Sequence, residues 1–538
     1  MRSDQSGYTD AMLTRRTLLE GAASALALAL ASPVTGAFAQ TPAAAVLNTI
    51  VNPEPRQLVL GVNNQAPTLL VSSKIYEGLL TYAPDLSPRP NLAESWEVSE
   101  DGRTYTFRLQ SGVTFHDGKP MTAEDVVFSI AEFHNTVNPR SKAIFESIEK
   151  AEAVDELTAV FTLKKPFEPF LLMFDAGSAA IVPAHIYKGT DFAANPANEK
   201  PIGTGPFKFE EWVKGSHIRL AKAQNYWREG LPRLDGIIYR VMPDSQSRAL
   251  SLESGDVSLA YGNDIEPFDI PRFRADDRFV VTDAGNELIS PIVYLDINHR
   301  VEPLNNPKFR RAMQLAMDTS FIVENLWFGV GTPAKGPIAS TTRFHDASVS
   351  VEGVDPDAAR ALLDEMGLKP DGNGVRARLR LLPLPYGEVW TRLAEYVKQA
   401  LADVGIETVL EATDAATWVK RLGEWDYDIT FNWPYQWGDP SLGVSRIYTS
   451  DNIKKVAFAN TGGYSNPEVD RLFAEAAAAI EPDVRRDLFA QLQKLIIEDA
   501  AYIYLFELRF ATLHDKRLED VITSATGPNS SFAGTHFG

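Results

Sequence analysis

The chain has 538 residues, no cysteine and a formal net charge of −19. Lack of cysteine excludes disulfides, thiolate metal sites, cysteine nucleophiles and a lipid-modified N-terminal cysteine. The acidic balance disfavours nucleic acid or an anionic membrane as partner. Length alone fits about three domains, and a hydrophobic content of 44% is ample for a large core.

Residues 1–39 read as an export signal. Arg15-Arg16 precede a short apolar run over 21–31, and Ala37-Phe38-Ala39 offers small residues for cleavage near Ala39. The run is shorter than the ~20 apolar residues that a membrane span needs. The Arg pair resembles a twin-arginine signal, with Leu18 where Phe is usual and Glu20 where Lys is favoured. An ordinary secretory signal is the alternative. No later segment is apolar for long enough to span a bilayer, so no stable membrane insertion is expected.

After a Pro/Ala-rich leader, residues 58–62 predict a buried strand, Asn63-Asn64-Gln65 a polar loop, and Ile75, Tyr76 and Leu79 a helix. Residues 92–133 carry the most specific pattern. Trp96 and Val98 lead into the turn Glu100-Asp101-Gly102, and Tyr105, Phe107 and Leu109 alternate with polar residues, which predicts a hairpin. Thr122 and Asp125 then form a capping box ahead of a helix with Val126, Ile130 and Phe133 on one side. Another alternating strand covers 157–163. The run Gly203-Thr204-Gly205-Pro206-Phe207 lacks the Gly-Lys-Ser/Thr ending of a phosphate loop and reads as a turn into a strand.

Residues 288–295 predict a long strand, taken as a first crossing between two lobes. Asn306-Pro307, Asp355-Pro356 and Asn466-Pro467 each open a helix by side-chain capping followed by Pro in the first turn. Trp390, Leu393, Val397, Leu401 and Val404 make an amphipathic helix that Gly405 ends, and Leu488, Leu492, Leu495 and Ile496 line another. Between them every odd position from Trp425 to Trp433 is apolar, at strand period. Residues 502–508 predict the return crossing. Such alternation of strands and helices points to α/β lobes.

No catalytic motif is present: no G-x-S-x-G, no H-E-x-x-H and no Walker loop. The eight histidines show no pair at ligand spacing. No catalytic residue, metal site or cofactor is therefore expected.

The wording of residues 92–133 (LAESWEVSEDGRTYTFRLQSGVTFHDGKPMTAEDVVFSIAEF) is similar to the signature of the bacterial extracellular solute-binding proteins of family 5, the dipeptide- and oligopeptide-binding components of ABC importers. "IYEGL" at 75–79, GTGPF at 203–207, Asn225-Tyr226-Trp227 and "NPKFRRAMQLAMD" at 306–318 extend the likeness in family order from about Leu58 to the end. The resemblance implies a two-lobed periplasmic binding protein (type II, cluster C) with an extra subdomain in lobe I and a two-strand hinge. It divides the chain into lobe I over 40–290 (core 58–70 and 198–290, inserted subdomain about 71–197), lobe II over 291–500, and a return to lobe I over 501–538. It implies a periplasmic monomer that closes over a small-molecule ligand and delivers it to an ABC permease with cytoplasmic ATPase subunits. A periplasmic hydrolase on this scaffold and a ligand sensor for a chemoreceptor are the alternatives.

In that family the strand ending near Trp433 faces the cleft, and peptide binders carry an aspartate three residues later that pairs with the ligand's terminal ammonium. The matching position is Gln436. Loss of such a carboxylate partner typically costs ~2–5 kcal/mol, roughly 30- to 4,000-fold in affinity. Hence the expectation that free peptide N-termini are not held in the usual way, and that Tyr435 and Trp437 stack on an apolar ligand face. The competing reading packs both rings inside lobe II and leaves Gln436 capping the strand. Asn63, Asn64 and Gln65 would face this corner from lobe I.

Overall fold

Strand pairing divides the molecule into bodies. The computed structural model describes residues 45–538, and the expected export signal lies outside them. A seven-stranded sheet runs in the order Phe279–Thr282, Thr512–Asp515, Leu259–Tyr261, Val46–Val51, Gly236–Val241, His217–Lys222, Phe207–Val213. Val46–Val51 lies parallel to both Gly236–Val241 and Leu259–Tyr261. A six-stranded sheet runs Thr332–Pro333, Ile503–Glu507, Ile292–Ile297, Ile429–Asn432, Ala377–Leu382, Ile406–Leu410. Here Ala377–Leu382 is parallel to Ile406–Leu410 and to Ile429–Asn432. These two sheets are the cores of lobe I and lobe II of a mixed α/β, two-lobed fold.

A third, antiparallel sheet (Ala93–Val98, Thr104–Leu109, Thr158–Leu163, Ile148–Asp155) forms the extra subdomain. Its buried Phe107 meets Phe174 at 4.6 Å between ring centroids. The capping box expected at Thr122 is made, with the Thr122 amide donating to Asp125 Oδ2 at 2.9 Å, and Val126, Ile130 and Phe133 are fully buried.

The chain passes between the two main sheets twice, through residues 283–291 and 508–511. The strands on either side, Ile292–Ile297 and Ile503–Glu507, pair antiparallel inside the lobe II sheet. The connectors themselves lie together: Leu508 N donates to Pro291 O at 2.9 Å, and Asn286 Nδ2 to Phe510 O at 3.0 Å. A paired double connector of this kind permits bending while resisting separation of the lobes.

Three local expectations are corrected. The first strand is Val46–Val51, in the stretch read as leader, while 58–60 are buried without joining a sheet. Pro53 and Pro55 follow that strand and bar its continuation. The early helix is Ala66–Ser72, opened by Pro67, and does not reach Ile75–Leu79. The carbonyls of Lys74 and Ile75 instead accept from Phe207 N at 3.1 Å and Gly205 N at 2.9 Å. The strand at 425–433 is shortened to Ile429–Asn432, because the helix Ala415–Glu424 runs on to Trp425, which stops it at φ +65°.

The GTGPF run owes its glycines to this crossing of two backbones. A Cβ on Gly205 would lie 2.4 Å from Lys74 O, and one on Gly203 2.1 Å from Ile75 O. Gly205→Ala is expected to cost about 1–3 kcal/mol through overpacking, read as a lower urea midpoint at unchanged slope; a wild-type midpoint would refute the close-approach explanation.

Candidate functional site

In sheets with parallel strands, ligands settle in the crevice beyond the strands' carboxyl ends. Both main sheets direct those ends at one cavity of about 520 Å³. From lobe I it is lined by Asn52, Arg248 and Asn263, on the segments that follow Val46–Val51, Gly236–Val241 and Leu259–Tyr261. From lobe II come Tyr386, which follows Ala377–Leu382, and Trp433, which directly follows Ile429–Asn432. Arg509 and Phe510 of the second connector form its floor.

One wall is aromatic. Trp433 meets Trp390 edge-on at 4.6 Å, lies parallel to Tyr386 at 6.2 Å, and touches Phe510 at 6.2 Å. Such a surface suits apolar or planar ligand parts. The polar side is fixed by hydrogen bonds. The Arg248 guanidinium donates only to main-chain carbonyls, including Met242 O at 3.0 Å and Pro243 O at 2.6 Å. Arg509 is held by Glu507 at 3.0 Å, Ser340 Oγ at 3.1 Å and Thr341 Oγ1 at 3.2 Å. Burial pushes the nearby Asp264 carboxyl up to about 7, against a hydrogen bond from Tyr261 N and the charge of Arg248, which both pull it down.

The residues singled out from sequence fare unevenly. Tyr435 and Trp437 pack on each other at 5.5 Å, and Tyr435 reaches Phe510 at 6.3 Å, which puts this corner directly behind the cavity wall. Burial raises the Tyr435 hydroxyl to about 12. The face of Trp437 is taken by Arg140 of the extra subdomain, 3.7 Å from the ring centroid. The Gln436 amide is spent inside lobe II, accepting from Ala339 N and donating to Pro337 O, both at 2.9 Å. Its carbonyl is thus not free to stand in for a ligand-binding carboxylate in this conformation. Asn63, Asn64 and Gln65 lie on the lobe I surface with local bonds: Asn64 to Gly61 at 3.1 Å, and Asn63 Oδ1 to Gln65 N at 3.0 Å. Among the described residues no hydrogen bond joins them to the 435–437 corner.

Most cavity residues were missed from sequence. Trp433 and Trp390 were assigned to buried apolar stripes, and Asn52, Asn263 and Arg248 carry no motif. The legible signal was positional: Asn52, Asn263 and Trp433 stand just after parallel strands, whereas Arg248 and Trp390 come from the helices that follow them. The extra subdomain and lobe II also touch through charge. Glu168 of the extra subdomain is held by Arg343 at 2.7 Å and by Arg485, which also binds Asp439 at 2.9 Å within lobe II.

Two lobes, a paired double connector and a cleft lined from both sides define a ligand-binding protein that works by enclosure. The model of the bacterial extracellular solute-binding proteins, family 5, matches residues 87–455, and the chain belongs to that family. The glutathione-binding protein GsiB of Pectobacterium atrosepticum is 29% identical over 517 residues, covering 94% of this chain and 95% of that one. The GsiB of Salmonella typhi is 30% identical over 468 residues (85% and 87%). Among solved structures, NikA from Brucella suis in complex with Fe(III)-EDTA superposes with a TM-score of 0.80 at 23% identity, covering 92% of this chain and 100% of that one. The oligopeptide-binding protein AppA from Bacillus subtilis in complex with a nonapeptide gives 0.77 at 24% identity, over 92% and 99%.

A buried acid beside the cavity gives a test by pH. The Asp264 carboxyl titrates near 7 in the fold against 3.8 as its ordinary value, so the folded state holds the proton more tightly. Its contribution to stability is full below about pH 4 and is lost as pH rises through about 7. The melting temperature of Asp264→Asn relative to wild type is expected to climb between pH 4 and 7 and level off above; a pH-independent difference would contradict this.

Proposed function

We propose that the protein is exported to the periplasm through its Arg15-Arg16 leader and works there as a monomeric solute trap for an ABC importer. It closes over a small organic molecule and presents the closed form to a membrane permease driven by cytoplasmic ATPase subunits. The observation that carries this is the cavity lined from both lobes, since a ligand that touches only one lobe cannot bias closure. The 29–30% identity to proteins named for glutathione binding supports a peptide-like solute, with an opine-like compound and an oligosaccharide next in order. Lobe I is taken as the seven-stranded sheet with the antiparallel subdomain, lobe II as the six-stranded sheet, and the 435–437 corner as a wall of the ligand site.

The ionic contact around Glu168 would hold the closed form. Glu168→Gln leaves Arg343 and Arg485 with Asp439 alone. Since the Glu168 side chain is 24% exposed, the loss is about 1–2 kcal/mol rather than the full value for a buried pair. A roughly tenfold weaker ligand affinity and a larger radius of gyration in solution scattering are expected, with the melting temperature little changed. Wild-type scattering and affinity would exclude a latch.

Ligand class is tested by thermal shift with glutathione, a free tripeptide, an N-carboxyalkyl amino acid and maltotriose. A true ligand at a hundredfold excess over Kd should stabilise the protein by about 2.7 kcal/mol and contract it in scattering. A panel without any binder would remove the solute-trap reading.

A further inference from the structure

Four charged side chains line the cavity between the lobes: Asp244, Arg248, Glu266 and Arg509. Three of them are bonded to the protein itself. Asp244 Oδ1 accepts from Ser247 N at 2.7 Å and from Ser247 Oγ at 2.6 Å. Arg248 donates to main-chain carbonyls, and Arg509 pairs with Glu507 at 3.0 Å. Glu266 is the exception. Its half-buried carboxylate does not cap the helical turn Pro267–Asp269 that follows it, and among the described residues it makes no hydrogen bond and no ion pair. A smaller hollow beside the cavity is lined by Glu266 and Pro267 from lobe I and by Glu388, Val389 and Arg392 from lobe II, so Glu266 stands on the seam between the lobes. Arg392 is not free to neutralise it, being held by Glu388 at 2.6 Å. Burial pushes the Glu266 carboxyl above its ordinary value; Glu388 and Asp269 push the same way, against Arg248 and Arg392. An ionised carboxylate in such a place is costly until a cation joins it. The lobe II wall indicates which cation. Trp390, Trp433 and Tyr386 line the same cavity, and such rings attract cations to their faces while covering an apolar body. No group of three possible metal ligands occurs among the described residues, so an organic amine suits the site better than a metal ion.

We propose that Glu266 selects the solute: the cavity takes a molecule with a protonated primary amine, whose nitrogen donates to Glu266 of lobe I while its body lies on the Trp390–Trp433 wall of lobe II. The proposal rests on the solute-trap reading and narrows it. A peptide-like solute with a free amino group is selected, and a neutral oligosaccharide or an N-acylated compound is refused. An ammonium bonded to a carboxylate is a charge-assisted contact, stronger than one between neutral groups. Because the carboxylate and the aromatic wall belong to different lobes, a solute that engages both favours the closed form.

The test uses the full-length mature protein and calorimetric titration with glutathione, trialanine, their N-acetylated forms and maltotriose. Whichever free amine binds should lose at least about 30-fold in affinity on acetylation, and as much in Glu266→Gln, as expected for removing one partner of a charge pair. In Glu266→Gln, acetylation should cost less than about threefold, because the two changes remove the same contact. A side chain that only shaped the fold would instead weaken free and acetylated forms alike. The ligand-free melting temperature of Glu266→Gln should equal or exceed that of wild type, since the carboxylate has no protein partner to lose. Binding of the free amine to Glu266→Gln within about threefold of wild type, or a preference for maltotriose or an acetylated form, overturns the proposal and leaves the trap intact. Absence of any binder removes both.

Discussion

Arg485 is completely enclosed, and its charge is balanced by carboxylates that belong to different bodies. Asp439 lies in its own lobe, at the start of the helix Pro440–Gly443. Glu168 comes from the far side of the interface, on a helical turn of the extra subdomain. Burying a guanidinium is expensive unless it is paired and hydrogen-bonded, and full pairing here exists only when the lobes meet. The rings of Phe344 and Phe489, 4.6 and 5.5 Å from the guanidinium, keep water away and so strengthen each charge contact. The contact between the extra subdomain and lobe II is thus centred on one buried residue whose charge is shared by carboxylates from both.

The hinge fixes where that closure acts. Since the two connectors are bonded to each other, the lobes can swing about them but not slide apart. Swinging brings together the carboxyl ends of parallel strands from both sheets, and these carry short irregular segments with Asn52, Asn263, Tyr386 and Trp433. Strand ends are the natural place for such residues, because the sheet holds their backbone rigid while their side chains escape the ladder.

Local signals carried most of the fold. The capping box at Thr122, the Asn-Pro and Asp-Pro helix starts and the alternation at Tyr105–Leu109 each depend on neighbours in sequence, and each appears as read. Features decided by distant partners were less legible. Val46–Val51 was hidden in an Ala-rich stretch because its place in the sheet is set by Gly236–Val241, almost two hundred residues away. The end of the early helix at Ser72 depends on carbonyls claimed by Gly205 and Phe207. The site shows the same division. Tyr435 and Trp437 stood out by composition, whereas Gln436 is diverted to the backbone of 337–339, a contact that no local pattern announces.

A trap for import must close when loaded and stay open when empty. Moving a two-state equilibrium from 99:1 open to 1:99 takes about 5.5 kcal/mol of differential binding. The Glu168 contacts with Arg343 and Arg485 are made by the chain itself and owe nothing to a solute. The difference between the loaded and the empty protein therefore has to come from the solute's own contacts with both lobes, because only contacts made in one state and not the other shift the balance.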